Sequence, residues 1–349
     1  MKILALIVFS TITLFANAQR FAMYNLDSIA CMTHELGANQ YHQLLLPQSF
    51  DSTSKTQQFP LIVLFDQQNH YTHNYNLQSI DILTMHGQMP QSVVVGIPLQ
   101  PERRWELTST DTLKPDIQRS GAEVLDEYLM LELIPHIQKA FHATGPLIII
   151  GHSRTGYYTY FLQEKHGDII QALGTFSGFF ENEITASSVY NAIQTRPPHT
   201  SAVHYISAGT SIEEKTYFNA MNQFKTILSV DSTITPDVKF RVGPNEGHMT
   251  CYNMSLPWML TDYFSNYSLL LDDWLFAKCD QFTEAEALNQ FKKDFQENAI
   301  YYKKEIIPNP VHIYSIASNY FNKGDVITCN LFLAYGRTFY PNETDMQPW

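Results

Sequence analysis

The sequence predicts an α/β fold: a mostly parallel sheet carries helices on both faces, and a small all-helical extension follows at the C-terminal end. Three observations carry the prediction. From Tyr41 onward, short apolar runs alternate with longer stretches of helical periodicity. The runs are rich in Ile, Val and Leu at consecutive positions, so both faces of each strand are apolar, as in a parallel sheet covered on both sides. After Leu270 no strand-like run recurs and the texture is helical throughout.

In chain order, the strand-like runs are 41–46, 61–65, 92–97, 147–150, 202–207 and 238–242. Pro47 and Pro60 punctuate the early loop, and Pro90 and Pro98 bracket the third run. Helical patterns fill the intervals at about 77–86, 121–141, 155–166, 213–229 and 255–267. Beyond them, 284–302 reads as one helix and Pro308-Asn309-Pro310 breaks the chain. Helices at 313–321 and 326–340, joined by the turn Lys323-Gly324-Asp325, then look like a single tetratricopeptide-type hairpin. One hairpin cannot stack a solenoid, so a helical flap packed on the main domain is the expectation. The organisation read from the sequence is a leader over 1–18, a main domain over 19–268 and the extension over 269–349.

Composition narrows the function classes. With 44% apolar, 13% aromatic and only 16% charged residues, the chain has ample material for a core. A net charge of −12, with no Lys/Arg run, argues against a nucleic-acid partner and suits small neutral or cationic ones. Lys2, the apolar run 3–15 and Ala16-Asn17-Ala18 have the three parts of a secretory signal peptide, giving an exported protein cleaved after Ala18. No later segment reaches the roughly 18 apolar residues that a membrane span needs. Four cysteines, Cys31, Cys251, Cys279 and Cys329, include no C-x-x-C pair, so a metal or redox motif is not expected, although some could pair after export.

The chemistry-bearing stretch is Leu-Ile-Ile-Ile-Gly-His-Ser-Arg-Thr-Gly at 147–156, a buried-type strand that turns at a serine and continues as helix. Such a turn lifts the serine Oγ clear of the sheet and aims the first helical N–H groups at charge developing beside it. Ser153 is therefore the candidate nucleophile. It needs a histidine to take its proton and a carboxylate to orient that histidine. His248, in the polar loop 243–250 after the last strand, is the candidate base. Glu213 and Glu214 follow the preceding strand and are the candidate acids; the shorter reach from the strand favours Glu213. Thr210 to Glu213 also fits a capping box, so one of the pair is open to a purely structural role. Oxyanion donors are expected from the backbones of Arg154 and Gln67, with Asn69, His70 and Tyr157 lining the substrate site. His70 and His73 lack an acid or third ligand nearby, so no metal is expected, and no cofactor motif is present.

The stretches 59–66, 89–98 and 103–108, together with Gly151-His152-Ser153 and Glu246-Gly247-His248-Met249, resemble successive landmarks of the putative-esterase family of α/β-hydrolases. That family includes esterase D, enterochelin-type siderophore esterases, and feruloyl and acetyl-xylan esterases. The resemblance covers about 25–268. It implies a Ser153, Glu213 or Glu214, His248 triad that cleaves small-molecule or saccharide-linked carboxylic esters without a cofactor. It also implies that Arg103 and Glu106 occupy a loop near the site, as an ion pair bracing it. Two positions depart from the family pattern. Thr155 stands where glycine is common and is expected to crowd the strand–helix contact, and Asp66-Gln67 stands where an Asp-Gly pair is common, which is expected to alter the oxyanion loop. The alternatives to an esterase are a catalytically impaired binding protein that recruits a protein partner through its C-terminal helices, and an acyltransferase using the same triad.

Overall fold

The computed structural model describes residues 21–30, 41–110, 119–178, 202–230 and 237–348. The leader 1–18 and Cys31 lie outside the described residues. Among those described, strands β1 (Tyr24–Ala30), β2 (Tyr41–Pro47), β3 (Leu61–Phe65), β4 (Val93–Ile97), β5 (Leu147–His152), β6 (Ala172–Phe176), β7 (Val203–Gly209) and β8 (Val238–Gly243) form one sheet. Their order is β1-β2-β4-β3-β5-β6-β7-β8. β2 runs antiparallel to β1 and β4, and the remaining pairings are parallel. Every residue of β3, β4 and β5 is buried, which the two-faced apolar runs require.

The helices are α1 (His70–Met85), α2 (Pro101–Leu107), α3 (Gly121–Glu127), α4 (Ile134–Ala140), α5 (Arg154–His166), α6 (Lys215–Val230) and α7 (His248–Tyr263), with a π-helical stretch, Tyr128–Leu133, joining α3 to α4. α1 and α7 pack together over one face of the sheet, and α3 and α5 over the other. Two strands and one helix were not legible in the sequence. β1 is an edge strand with a largely exposed, polar sequence, and β6 is a five-residue segment carrying Gly174, so neither shows a strong apolar run. Helix α2 opens on Pro101, whose fixed φ suits a first helical position. The helix expected at 255–267 begins at His248, runs through Pro257 and ends at Tyr263.

The extension comprises α8 (Ser265–Phe276), α9 (Glu284–Tyr302), α10 (Pro310–Asn322) and α11 (Val326–Arg337). Helices α10 and α11 form a hairpin whose turn uses Gly324 at φ 81°, and Asp325 caps α11 by accepting the Thr328 N–H at 2.9 Å. Trp274, Phe291 and Phe332 of the extension belong to the same continuous core as Ile62 and Ile149 of the sheet. Fully buried Asn309 ties the two together: its amide oxygen accepts the Gln91 N–H at 2.6 Å, its amide nitrogen donates to the Met89 carbonyl at 3.3 Å, and its own N–H donates to the Tyr267 hydroxyl at 3.1 Å. Gln58 donates to Glu305 at 2.7 Å, and Asn342 to Asp51 at 2.8 Å. These partners lead into the starts of β3 and β4, so the extension covers the N-terminal ends of the parallel strands. Cys251, Cys279 and Cys329 are buried free thiols. Among the described residues, no helix is long and apolar enough to cross a membrane.

Candidate active site

Parallel strands bring their C-terminal ends to one side of the sheet, and ligands of open α/β sheets bind there. Ser153 occupies the tip of the turn between β5 and α5, with φ 56° and ψ −118°. A non-glycine residue persists in that region only when its surroundings hold it. Here the Ser153 N–H donates to the Phe176 carbonyl at 2.9 Å, and Gly151 approaches the Thr155 backbone so closely that any Cβ would collide with it. Arg154 follows as the first residue of α5, where helix geometry directs N–H groups outward. Its guanidinium lies over the rings of Trp105 and Tyr157, 4.0 and 4.7 Å from their centroids, and its Nε donates to Thr108 Oγ1 at 3.0 Å. Helix α2 is thereby fastened to the turn.

The candidate acid and base come from the next strand ends. His248 Nδ1 meets Glu214 Oε1 at 2.5 Å, while Glu214 Oε2 accepts the Ser177 hydroxyl at 2.6 Å and the Gly209 N–H at 2.9 Å. Burial alone would raise the Glu214 carboxyl, but these bonds outweigh it and hold the group below the usual carboxylate range. Glu213 has a different partner: it accepts the backbone N–H of His248 at 2.9 Å and so caps α7. A Cβ at Gly247 would meet that carboxylate, which would have to shift to make room. It is thus Glu214, and not the favoured Glu213, that meets the His248 imidazole. The capping box expected from Thr210 to Glu213 does not form either, since the Thr210 hydroxyl accepts the Asn245 N–H at 2.8 Å.

With Nδ1 engaged, Nε2 is the His248 nitrogen left for Ser153, and both residues line a cleft of about 210 Å³. The His248 ring lies between His152, centroid 4.3 Å away, and Tyr217, stacked at 4.5 Å. His152 also stacks on Tyr252 at 5.0 Å and donates from Nε2 to the His248 carbonyl at 2.9 Å. Burial, with the neighbouring His248 charge, pushes the His152 pKa down to about 3, so it stays neutral beside the His248 imidazole.

The remaining walls are Asp66, Gln68, Asn69, Arg104 and Met249. Asp66, just past β3 at φ 67°, is held by Arg104 through Nε to Oδ1 at 2.6 Å and Nη2 to Oδ2 at 2.8 Å. Burial disfavours the charge on Asp66, yet Arg104 and the Thr155 hydroxyl outweigh it and keep the carboxyl below its ordinary range. Among the described residues, no group of His, Cys, Asp and Glu could hold a metal ion.

The structure brings together Ser153, His248 and Asn69 in the cleft and sets Glu214 behind the imidazole. His70 is exposed at the start of α1, and Tyr157 lies under Arg154; neither lines the cleft as expected. The Gln67 N–H, expected as an oxyanion donor, donates to the Ile97 carbonyl at 3.2 Å, and the Gln67 side chain pairs with the backbone of β2 at Gln43 and Tyr41. Its neighbour Gln68 lines the cleft, and its N–H has no acceptor among the described residues. Arg103 and Glu106 form an ion pair at 3.1 Å on α2 rather than on a loop, and it is Arg104 that faces the cleft. Thr155 does not crowd the turn: its side chain is fully buried and hydrogen-bonded to Asp66 at 2.7 Å. Asp66, Arg104, His152, Ser177 and Tyr252 were not singled out from sequence. Only His152 carried a usable signal, its place beside the serine.

The sheet order, the strained serine at the end of β5 and the His248–Glu214 pair beside it define an α/β-hydrolase. The chain belongs to the family described as Putative esterase, whose model matches residues 33–254. Among solved structures, an IroE-like serine hydrolase from Shewanella oneidensis shares 14% identity at a TM-score of 0.67, covering 90% of this chain and 99% of that one. A siderophore hydrolase from Aspergillus nidulans shares 13% at 0.55, covering 70% and 96%. The feruloyl esterase module from Clostridium thermocellum, solved with sinapinate, shares 13% at 0.51, covering 69% and 86%. These likenesses concern the fold. Because the family model stops at 254, a match over 90% of the chain reaches into the C-terminal helices. No curated protein sequence matches the chain.

Proposed function

We propose that this chain is an exported serine esterase. The observation that carries the proposal is the His248–Glu214 hydrogen bond, 2.5 Å long, in a cleft shared with Ser153. Ser153 Oγ attacks the ester carbonyl while His248 Nε2 takes its proton, and Glu214 stabilises the imidazolium through Nδ1–H. The developing oxyanion is received by the backbone N–H groups of Arg154 and Gln68. His248 then returns the proton to the departing alcohol, and water, activated by the same imidazole, releases the acid from the acyl-enzyme. Export is supported by the leader pattern ending at Ala18. The cleft, the family, and the fold likeness to a siderophore hydrolase and a feruloyl esterase module support a carboxylic ester as the substrate class.

The test is hydrolysis of 4-nitrophenyl acetate by the mature protein and by Ser153→Ala. Loss of the nucleophile is expected to lower kcat by roughly 10⁴-fold or more. Equal rates in the two proteins would overturn the proposal.

A further inference from the structure

One hydroxyl links the two halves of the cleft. Thr155 Oγ1 accepts the His152 N–H at 2.9 Å and stands 2.7 Å from Asp66 Oδ2 and 2.9 Å from the His152 carbonyl. A hydroxyl has one proton to give, and the ionised Asp66 carboxylate is the stronger acceptor. The His152 carbonyl has another donor, Arg104 Nη2 at 3.0 Å, and the same Arg104 grips Asp66. A closed ring results: His152 N–H to Thr155, Thr155 to Asp66, Arg104 to Asp66, and Arg104 to the His152 carbonyl. Its one side is the residue immediately before Ser153. Its other side is the residue that opens the Asp66–Gln68 turn, where φ is 67°.

We propose that Thr155 is a positioning residue whose hydroxyl sets the distance between Ser153 and the Gln68 amide, and hence the width of the oxyanion site. The inference rests on the serine-esterase reading above, in which Gln68 supplies a donor. Without the hydroxyl, Asp66 keeps Arg104 and Gln68 as its side-chain partners among the described residues, and the buried His152 N–H loses its acceptor. Both changes free the turn to move relative to the nucleophile. Oxyanion stabilisation depends on donors fixed at hydrogen-bond distance from the charge that forms, so a small shift lowers kcat and leaves ground-state binding nearly unchanged.

The experiment compares Thr155→Val, Thr155→Ser and Thr155→Gly in the full mature chain, with 4-nitrophenyl acetate as substrate and a fluorophosphonate titrating active serines. Thr155→Val keeps the shape without the hydroxyl. Its kcat per titrated site is expected to fall about tenfold to a hundredfold, the cost of roughly 1 Å of misplacement, with KM little changed. Thr155→Ser restores the hydroxyl and is expected to restore kcat. If Thr155→Val does not fold, Thr155→Gly makes the same comparison without bulk. Wild-type kcat per site without the hydroxyl, or a Thr155→Ser variant as slow as Thr155→Val, would overturn the proposal. Crystal structures supply a readout independent of turnover. The Ser153 to Gln68 N separation is expected to change in the hydroxyl-less variants and not in Thr155→Ser, and an unchanged separation overturns the role of Thr155. A wild-type protein no faster than Ser153→Ala overturns the esterase reading instead, and the crystallographic comparison still decides the positioning role.

Discussion

The two ends of the parallel strands are built on opposite principles. Four of the seven described non-glycine residues with positive φ, Asp66, Ser153, Ser177 and Asn245, stand just past the C-terminal ends of β3, β5, β6 and β8. That end holds the Asp66–Arg104 pair, the Glu214–His248 pair and two neighbouring histidine rings around an open cleft. The other end is closed by the helical extension, through fully buried Asn309 and an aromatic core running from Trp274 to Phe332. Sites that hold reacting groups in strained conformations need rigid surroundings, at about 1–3 kcal/mol per strained residue. The extension thus contributes on the side where nothing reacts. Helix α7 spans the two ends: its 16 residues, at 1.5 Å each, carry His248 about 24 Å from the seam where α8 begins.

The comparison is broken most severely by a change that touches only the reacting end. Glu214→Gln keeps the shape of the acid but removes its charge and favours the wrong imidazole tautomer. It is expected to lower kcat by about 10³- to 10⁴-fold with little change in melting temperature. Glu213→Gln alters only the cap on α7 and is expected to cost less than about 1 kcal/mol of stability, with kcat within a few-fold of wild type. Steady-state kinetics and thermal melts on both variants check the assignment. Equal losses of kcat would return the choice between the two glutamates to where the sequence left it.

A change at the closed end is expected to do the reverse. Asn309→Ala removes the acceptor for the Gln91 N–H and the donor to the Met89 carbonyl in a fully buried position. Buried groups left without partners cost about 1–3 kcal/mol each, so stability should fall by roughly 2–6 kcal/mol. Because the seam lies a helix-length from Ser153, kcat per titrated active site should be unchanged. Urea melts together with active-site titration test both halves of the statement, and a parallel fall in kcat would show that the two ends are coupled.

The contrast between the ends also explains what the sequence could disclose. Ser153 was legible because a strand, a turn and a helix are local features, and His248 because chain order around a parallel sheet places loops predictably. The choice between Glu213 and Glu214 was not. The two sit in a single 3₁₀ turn, Ile212–Glu214, where neighbouring side chains point about 120° apart, and only the tertiary register decides which one faces the imidazole. The engagement of the Gln67 amide was hidden for a similar reason: Gln67 continues the backbone pairing of β3 with β4, which leaves the Gln68 amide as the one proposed for the oxyanion. Arg104 was hidden because α2 has no apolar stripe to announce a helix, and Thr155 because a hydroxyl's partner across the sheet leaves no trace in spacing. The end of the sheet that receives the extension is likewise a tertiary fact, set by Asn309 and its partners.

The smallest expected effect uses one histidine from each end. His152 beside the nucleophile and His312 at the seam are both buried, and burial pushes their pKa values down to about 3 and about 4. A histidine with a lowered folded pKa takes up its proton more readily when unfolded, so folding is favoured fully above pH 6.5 and progressively less as pH falls toward the folded value. At pH 5.5, one unit below the unfolded pKa, each such histidine lowers stability by about 1.4 kcal/mol relative to pH 7.5. His312→Gln should remove that share of the acid sensitivity without touching kcat. His152→Gln should remove a similar share and also slow turnover, because His152 anchors the His248 carbonyl at 2.9 Å. Urea melts at pH 7.5 and 5.5 measure the pH-dependent difference, in which the constant cost of each substitution cancels. An undiminished pH dependence in His312→Gln would mean that the seam opens to water before the cleft does, which would reverse the assignment of the rigid and reactive ends.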